Sequence, residues 1–259
     1  MIAPHHQAAV DAFVASVADQ VDAVVLIGSV VQGRARETSD IDVYVVLPQE
    51  EYEARKARHD LAWMAACDYP GGYVDGKVVS VAWLEAAAER GSQPTRSSFQ
   101  GARVVHSRVG DLQPLVDRIA VYPEEMHAED VRDLMSHVAL HAGYFGLQAI
   151  ERGDVFMTQH ALSQAVLYAG RLVLAHNRVL FPCPKQLLAT VAACPEVPER
   201  FVEQCEELLR EPTTDRVIAF LTSIATFADW GLPQEQAISR FMEQDEWRWL
   251  ETRPQVSHR

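Results

Sequence analysis

Lysine is scarce in this chain. Only Lys56, Lys77 and Lys185 are lysines among 23 basic residues, set against 36 acidic ones, for a formal net charge of −13. The deficit of positive charge is even: residues 1–121 hold 11 basic and 16 acidic side chains, the rest 12 and 20. A nucleic-acid polymer is therefore not the expected partner, because neutralising phosphates needs a basic face. The excess acid suits a cationic small substrate, or solubility alone. Cysteine is also sparse: Cys67, Cys183, Cys194 and Cys205 form no CxxC pair. They read as reduced thiols of a cytoplasmic protein. No apolar run approaches the roughly 20 residues that span a bilayer, so no membrane partner is expected. The opening MIAPHHQAAVDAF lacks the basic-then-apolar order of a signal peptide; His5 and His6 read as part of a mobile terminus. No GxSxG or strand-borne GxGxxG occurs, which leaves a serine-hydrolase elbow and a dinucleotide fold unsupported. His137 and His141 stand four apart in SHVALHAG. Without the HExxH glutamate or an evident third ligand they read as a helix face, not a zinc site.

What is present is a real core, since 48% of residues are apolar. Residues 7–19 have helical period; AVVLIGS and DIDVYVVLP read as strands, the second stopped by Pro48. EEYEARKARHDLAWMAAC reads as one helix, rich in helix formers. GGYVDGKVVSVAWL is strand-like again, and GARVVHS is a fourth strand. From Glu129 the texture changes to long amphipathic helices punctuated by prolines. We expect an α/β (α+β) domain with a mixed sheet over residues 1–121, then an all-α helical bundle domain over 122–259. The tail ETRPQVSHR reads as frayed. Trp230, Trp247 and Trp249 read as packing residues.

The chemistry concentrates in GSVVQGRARETSDIDVYVV. Strand alternation points Asp40 and Asp42 one way, and Ile41 and Val43 the other. Two like charges on neighbouring same-face positions repel unless a cation lies between them, and unpaired buried carboxylates cost several kcal/mol. Magnesium takes oxygen ligands and commonly combines one or two carboxylates with substrate phosphates; a pair of such ions serves phosphoryl-type transfer. Gly28 lets backbone approach a phosphate, with Ser29 beside it. The segment VVQGRA, which includes Arg34, can begin a helix whose N–H groups favour an anion. Ser39 could add a hydroxyl contact. Gly28 to Ala35 comes close to a P-loop but ends in Arg-Ala, where Lys-Ser/Thr is required.

This stretch resembles the signature of the DNA polymerase β-like nucleotidyltransferase superfamily: apolar strand, Gly-Ser, about ten residues, then Asp-x-Asp in a second strand. The helical part is similar, more loosely, to the substrate domain of aminoglycoside nucleotidyltransferases, through RLVLAHNRVLFPCPKQL. The resemblance implies an N-terminal nucleotidyltransferase domain binding ATP with two Mg2+ ions, and a helical domain forming the other wall of a cleft. A small, aminoglycoside-like hydroxyl substrate would receive AMP. It implies a third carboxylate on a later strand, able also to accept the hydroxyl proton. One register of GGYVDGKVVSVAWL gives that role to Asp75, with Lys77 toward a phosphate. The other register puts Ser80 there, and the acid is missing. Asp75-Gly76 also reads as a hairpin turn. Arg178 and Lys185 would be nucleotide or phosphate contacts by the resemblance alone, and Arg96 either a phosphate contact or a helix cap. Alternatives are a toxin–antitoxin-type enzyme modifying a protein or tRNA, a non-catalytic nucleotide-binding protein, and a plain interaction module.

Overall fold

The computed structural model describes residues 2–252; most of the tail ETRPQVSHR lies outside the described residues. The chain divides into two compact units, Met1–Tyr122 and Pro123–Arg259.

The first unit runs α1 (Pro4–Val17), β1 (Ala23–Leu26), α2 (Gly28–Val31), β2 (Ile41–Val46), α3 (Gln49–Ala57), β3 (Ala62–Ala66), β4 (Tyr73–Val79), α4 (Val81–Arg90), α5 (Gln93–Ser98), β5 (Arg103–Ser107) and α6 (Gln113–Ile119). The sheet order is β3-β4-β2-β1-β5, mixed, with β2 and β4 parallel and the other pairs antiparallel. Proline opens α1, where its missing N–H costs nothing, and Val10, Phe13 and Val17 bury one stripe. That stripe and Tyr52 of α3 cover one sheet face, meeting Ile41, Val43 and Val45. The opposite face carries Tyr44, Val46 and Val79 against Leu84, Phe99, Val116 and Ile119.

Three expectations change here. His5 and His6 are not a mobile terminus: they form the first turn of α1, and His6 is 1% exposed against the Tyr69 ring. The helix expected over residues 50–67 stops at Ala57, and Ala62–Ala66 becomes edge strand β3. Of its residues only Trp63 favours a strand, and the alanines and methionine do not; pairing with β4 decides. Nor do Asp75 and Gly76 make a hairpin turn. They lie inside β4, and a Cβ on Gly76 would come within 2.6 Å of the Trp63 carbonyl oxygen. The glycine there serves close strand approach, not reversal.

The second unit holds α7 (His127–Val138), a π-helical stretch Ala139–Gly146, α8 (Leu147–Arg152), α9 (Val155–His176), α10 (Leu187–Ala192), α11 (Phe201–Arg210), α12 (Thr214–Phe227) and α13 (Ala237–Phe241). The α9 helix starts at Asp154, whose side chain caps the Met157 N–H, and Thr213 caps α12 in the same way. Small and apolar residues of α9, including Ala165, Ala169 and Leu172, are fully buried among Val138, Phe220 and Ile224. Trp230 joins this core and donates its indole N–H to the Ile224 carbonyl at 2.8 Å. Trp247 and Trp249, expected to be packing residues, are instead 47% and 60% exposed. Among the described residues no helix is long and apolar enough to cross a membrane.

His137 and His141 do lie on one helical face, but that face is buried. Their rings stack on Tyr168 with centroids 4.3 and 5.6 Å away, and Phe241 meets both edge-on. Burial pushes both imidazoles down to about 4, so they are neutral at pH 7. An unfolded histidine takes its proton below its ordinary 6.5, whereas these resist until about 4. Stability is therefore complete above 6.5 and is lost as pH falls through that window, by on the order of 2 kcal/mol per ring. Thermal unfolding followed between pH 7 and 4 should show this decline, and a His137→Phe, His141→Phe double variant should show a shallower one.

Candidate active site

The β2 strand delivers the first carboxylates. Ile41, Val43 and Val45 are at most 1% exposed, so alternation turns Asp40 and Asp42 away from the α1–α3 core. The parallel ladder pairs Asp42 with Asp75 and Tyr44 with Lys77. Partners in a ladder share a face, so Asp75 and Lys77 join Asp42. One rung before Ile41–Val74, where the ladder begins, the same register lays Asp40 beside Tyr73. Carboxylate oxygens of Asp40, Asp42 and Asp75, all half-buried, lie within 4.8 Å of one another. No other such group of three metal-capable side chains occurs among the described residues. Ser80, the alternative to Asp75, is buried, and its hydroxyl caps α4 by accepting from the Trp83 N–H at 3.2 Å.

Electrostatics show what this cluster requires. Burial above all, then the charge of Asp40, pushes the Asp42 carboxyl up to about 6; Asp75 adds to the rise and Lys77 opposes it. Two full charges at such a spacing repel by roughly 3 kcal/mol per pair at an effective dielectric of about 20. A hard divalent cation with oxygen ligands removes that repulsion, and an all-carboxylate set suits Mg2+. The donors therefore fit the metal.

Gly28 opens α2 with φ +75°, and a Cβ there would sit 2.2 Å from Oδ2 of Asp42. Only glycine lets the α2 turn come this close to the carboxylate. The Ile27 N–H ties the same turn to β2 by donating to the Asp42 carbonyl at 3.0 Å. The helix expected after the Gly-Ser pair starts at Gly28 itself and lasts one turn, with Ser29 half-buried in it. Ser39 spends its hydroxyl on the Arg36 N–H, at 2.8 Å, closing the loop before Asp40. Arg34 is exposed, and its guanidinium reaches the Gln32 side chain. Lys77 is exposed with its ammonium 5.9 Å from the Tyr44 ring centre. Arg96, 4% exposed, donates to the carbonyls of Ala88, Glu89, Gly91 and Val121. It caps the end of α4.

In the second unit Lys185 is exposed on a single turn, Pro184–Gln186, and Arg178 is held by both oxygens of Glu124 at 3.0 Å. Sequence reasoning passed over Arg171. Its guanidinium lies 6.0 and 5.1 Å from the Tyr168 and Phe181 ring centres, with Nε buried and unbonded. It also passed over two tyrosines. Tyr73 stands beside Asp40 in the β2–β4 register, where the charge of Asp40 raises its phenol, and the Tyr69 hydroxyl donates to the Ser39 carbonyl at 2.6 Å. Tyr73 stands two residues before Asp75, so alternation alone could have found it; Tyr69 left no such signal.

Residues 11–75, which contain all three aspartates, match the family model described as a nucleotidyltransferase domain. Residues 11–75 thus belong to a nucleotidyltransferase domain of the DNA polymerase β-like superfamily. Residues 92–187 match a second family, a domain of unknown function (DUF4037). The chain is similar in fold to the crystal structure of a nucleotidyltransferase-like protein from Exiguobacterium sibiricum 255-15. That likeness has a TM-score of 0.51 at 12% identity, over 98% of this chain and 82% of that one. No curated protein matches it by sequence. The nucleotidyltransferase domain and its three clustered carboxylates support nucleotidyl transfer that depends on a divalent metal.

Two variants probe this arrangement, the first in chelator and the second with Mn2+ added. Asp42 is protonated in the fold up to about 6 but only to 3.8 when unfolded. Its ionisation therefore costs stability as pH rises through that window. Asp42→Asn should stabilise the metal-free protein by on the order of 1–2 kcal/mol at pH 7, and the gain should vanish below pH 4 in calorimetric scans. Gly28→Ala should do the reverse to function: the new methyl displaces the Asp42 carboxylate, and Mn2+ affinity read by isothermal titration should fall at least about 10-fold.

Proposed function

We propose that the protein moves AMP from ATP onto a hydroxyl of a small, cationic, aminoglycoside-like molecule. The observation that carries this reading is the placement of Asp40, Asp42 and Asp75 on one sheet face beside the Gly28–Ser29 turn. Asp40, Asp42 and Asp75 would hold Mg2+, which when bound neutralises phosphate charge and the charge that develops in transfer. The Gly28–Ser29 turn offers N–H groups to the triphosphate, and Lys77, on the same face, offers a cation. Ser39 and Arg34 flank that turn. Arg171 and Lys185 are the second unit's proposed anion contacts. Asp75 accepts the proton of the attacking hydroxyl. The acceptor's hydroxyl oxygen forms a bond to the α-phosphorus as the bond to the bridging oxygen breaks, and pyrophosphate leaves. Positioning accounts for much of the acceleration. The net charge of −13 favours a cationic acceptor over RNA.

Pyrophosphate release from ATP with Mg2+ or Mn2+, across a panel of aminoglycosides and simpler amino-polyols, is the direct test. We expect release with at least one acceptor and loss of about 100-fold or more in Asp75→Asn. Silence across the panel, together with one nucleotide of added mass on a co-expressed protein, would move the acceptor to a macromolecule. Silence in both sinks the enzymatic reading.

A further inference from the structure

Asp42 and Asp75 sit on rungs of the β2–β4 ladder, which fixes their backbones. Asp40 does not. The β2 strand begins at Ile41, so the third carboxylate hangs on the loop before the strand, where no ladder hydrogen bond holds it. Its neighbours in the triad repel it. Something else must keep it within 4.8 Å of them.

The loop between β3 and β4 supplies that hold. Its own backbone is closed by Cys67 N–H to the Gly72 carbonyl at 3.3 Å and Gly72 N–H to the Tyr69 carbonyl at 3.0 Å. From it, the Tyr69 hydroxyl donates to the carbonyl of Ser39, the residue before Asp40, at 2.6 Å. The Tyr69 ring is backed edge-on by His5 and His6, at 5.1 and 5.3 Å between centroids. His6 is buried with neither ring nitrogen bonded, so it acts as a wall and not as a donor. His5 reaches past it to the Glu37 carbonyl at 3.1 Å. Four residues beyond Tyr69, Tyr73 points to the face of Asp75 and stands beside Asp40, one rung before Ile41–Val74, where the charge of Asp40 holds its phenol above the ordinary tyrosine range.

We propose that the β3–β4 hairpin positions Asp40 for metal binding, through Tyr73 at the carboxylate and Tyr69 at the Ser39 carbonyl. This rests on the reading of the triad as a metal site and adds two positioning residues to it. The chemistry favours phenols in this place. A hydrogen bond to an ionised acceptor is a strong one. A lysine or arginine would hold Asp40 as firmly, but its charge would repel the incoming cation. A neutral phenol orients one carboxylate oxygen and leaves the other to the metal, as outer partners of metal ligands do.

The test is Mn2+ binding to the full chain without nucleotide, with free Mn2+ read by electron paramagnetic resonance. Tyr73→Phe and Tyr69→Phe each keep the ring and lose only the hydroxyl. Each should raise the Mn2+ dissociation constant about 10-fold with an unchanged unfolding midpoint. In the pyrophosphate assay each should raise the Mn2+ concentration for half-maximal rate, while kcat at saturating Mn2+ returns toward that of the parent. A purely structural tyrosine would move the unfolding midpoint and not this split. Tyr73 is 40% exposed, so its variant is safe for folding even if Tyr69→Phe is not. Should Mn2+ affinity in Tyr73→Phe stay within roughly two-fold of the parent while Asp42→Asn abolishes it, the positioning role is wrong and the metal site stands. Should Asp42→Asn leave Mn2+ affinity unchanged, both fall.

Discussion

The mutual repulsion of three carboxylates on one face of a sheet is the constraint around which the first unit is arranged. Asp40, Asp42 and Asp75 stand within 4.8 Å of one another, and their neighbourhood keeps the Asp42 carboxyl protonated to about 6. A fold gains nothing from such a cluster, since pairing each acid with an arginine or replacing it with an apolar group would be more stable. The cost is tolerated because the strands are secured elsewhere. On the opposite face Ile41, Val43, Val45, Val74 and Val78 are sealed under α1 and α3. Farther along the front face Tyr44 stacks on Phe99 at 4.7 Å and packs on Trp83. The charged rungs thus lie at the end of otherwise apolar strands, where destabilising groups collect at functional sites.

The same division of labour recurs around the cluster. Ladder hydrogen bonds hold two of the acids, a glycine turn closes on one of them, and a hairpin reaches the loop that carries the third. Each device works by geometry and brings no formal charge to the site apart from Lys77, so the demand for a divalent cation is left intact. The second unit uses buried polarity differently. Its neutral histidines are part of an aromatic wall with Tyr168 and Phe241, while Arg171, among aromatic rings, keeps its charge without a bonded acceptor at Nε.

Much of this was legible in the residues. Alternation in DIDVYVV settles that Asp40 and Asp42 face together, because a buried Ile41 and Val43 leave them nowhere else to point. The change from short β-branched runs to long amphipathic stretches foretold a mixed-sheet part followed by a helical one. The failures have physical causes. LAWMAAC reads as helix because alanine, leucine and methionine favour helices, and only the free edge of β4 turned it into a strand. Asp-Gly reads as a turn because glycine is needed at turns, yet here its missing side chain admits the Trp63 backbone. Arg96 was ambiguous because a guanidinium serves a phosphate or a helix end equally well; four carbonyls claimed it.

By itself the sequence determined the local facts: which side chains share a strand face, where glycine permits close approach, and that acid outweighs base throughout. These follow from periodicity and composition, which act over a few residues. Only tertiary structure decided that Asp75, and not Ser80, completes the triad, that Tyr69 and Tyr73 converge on the loop of Asp40, and that His6 is a buried wall. Each of these depends on which strands are neighbours and in what register, and register is set by contacts between segments far apart in the chain.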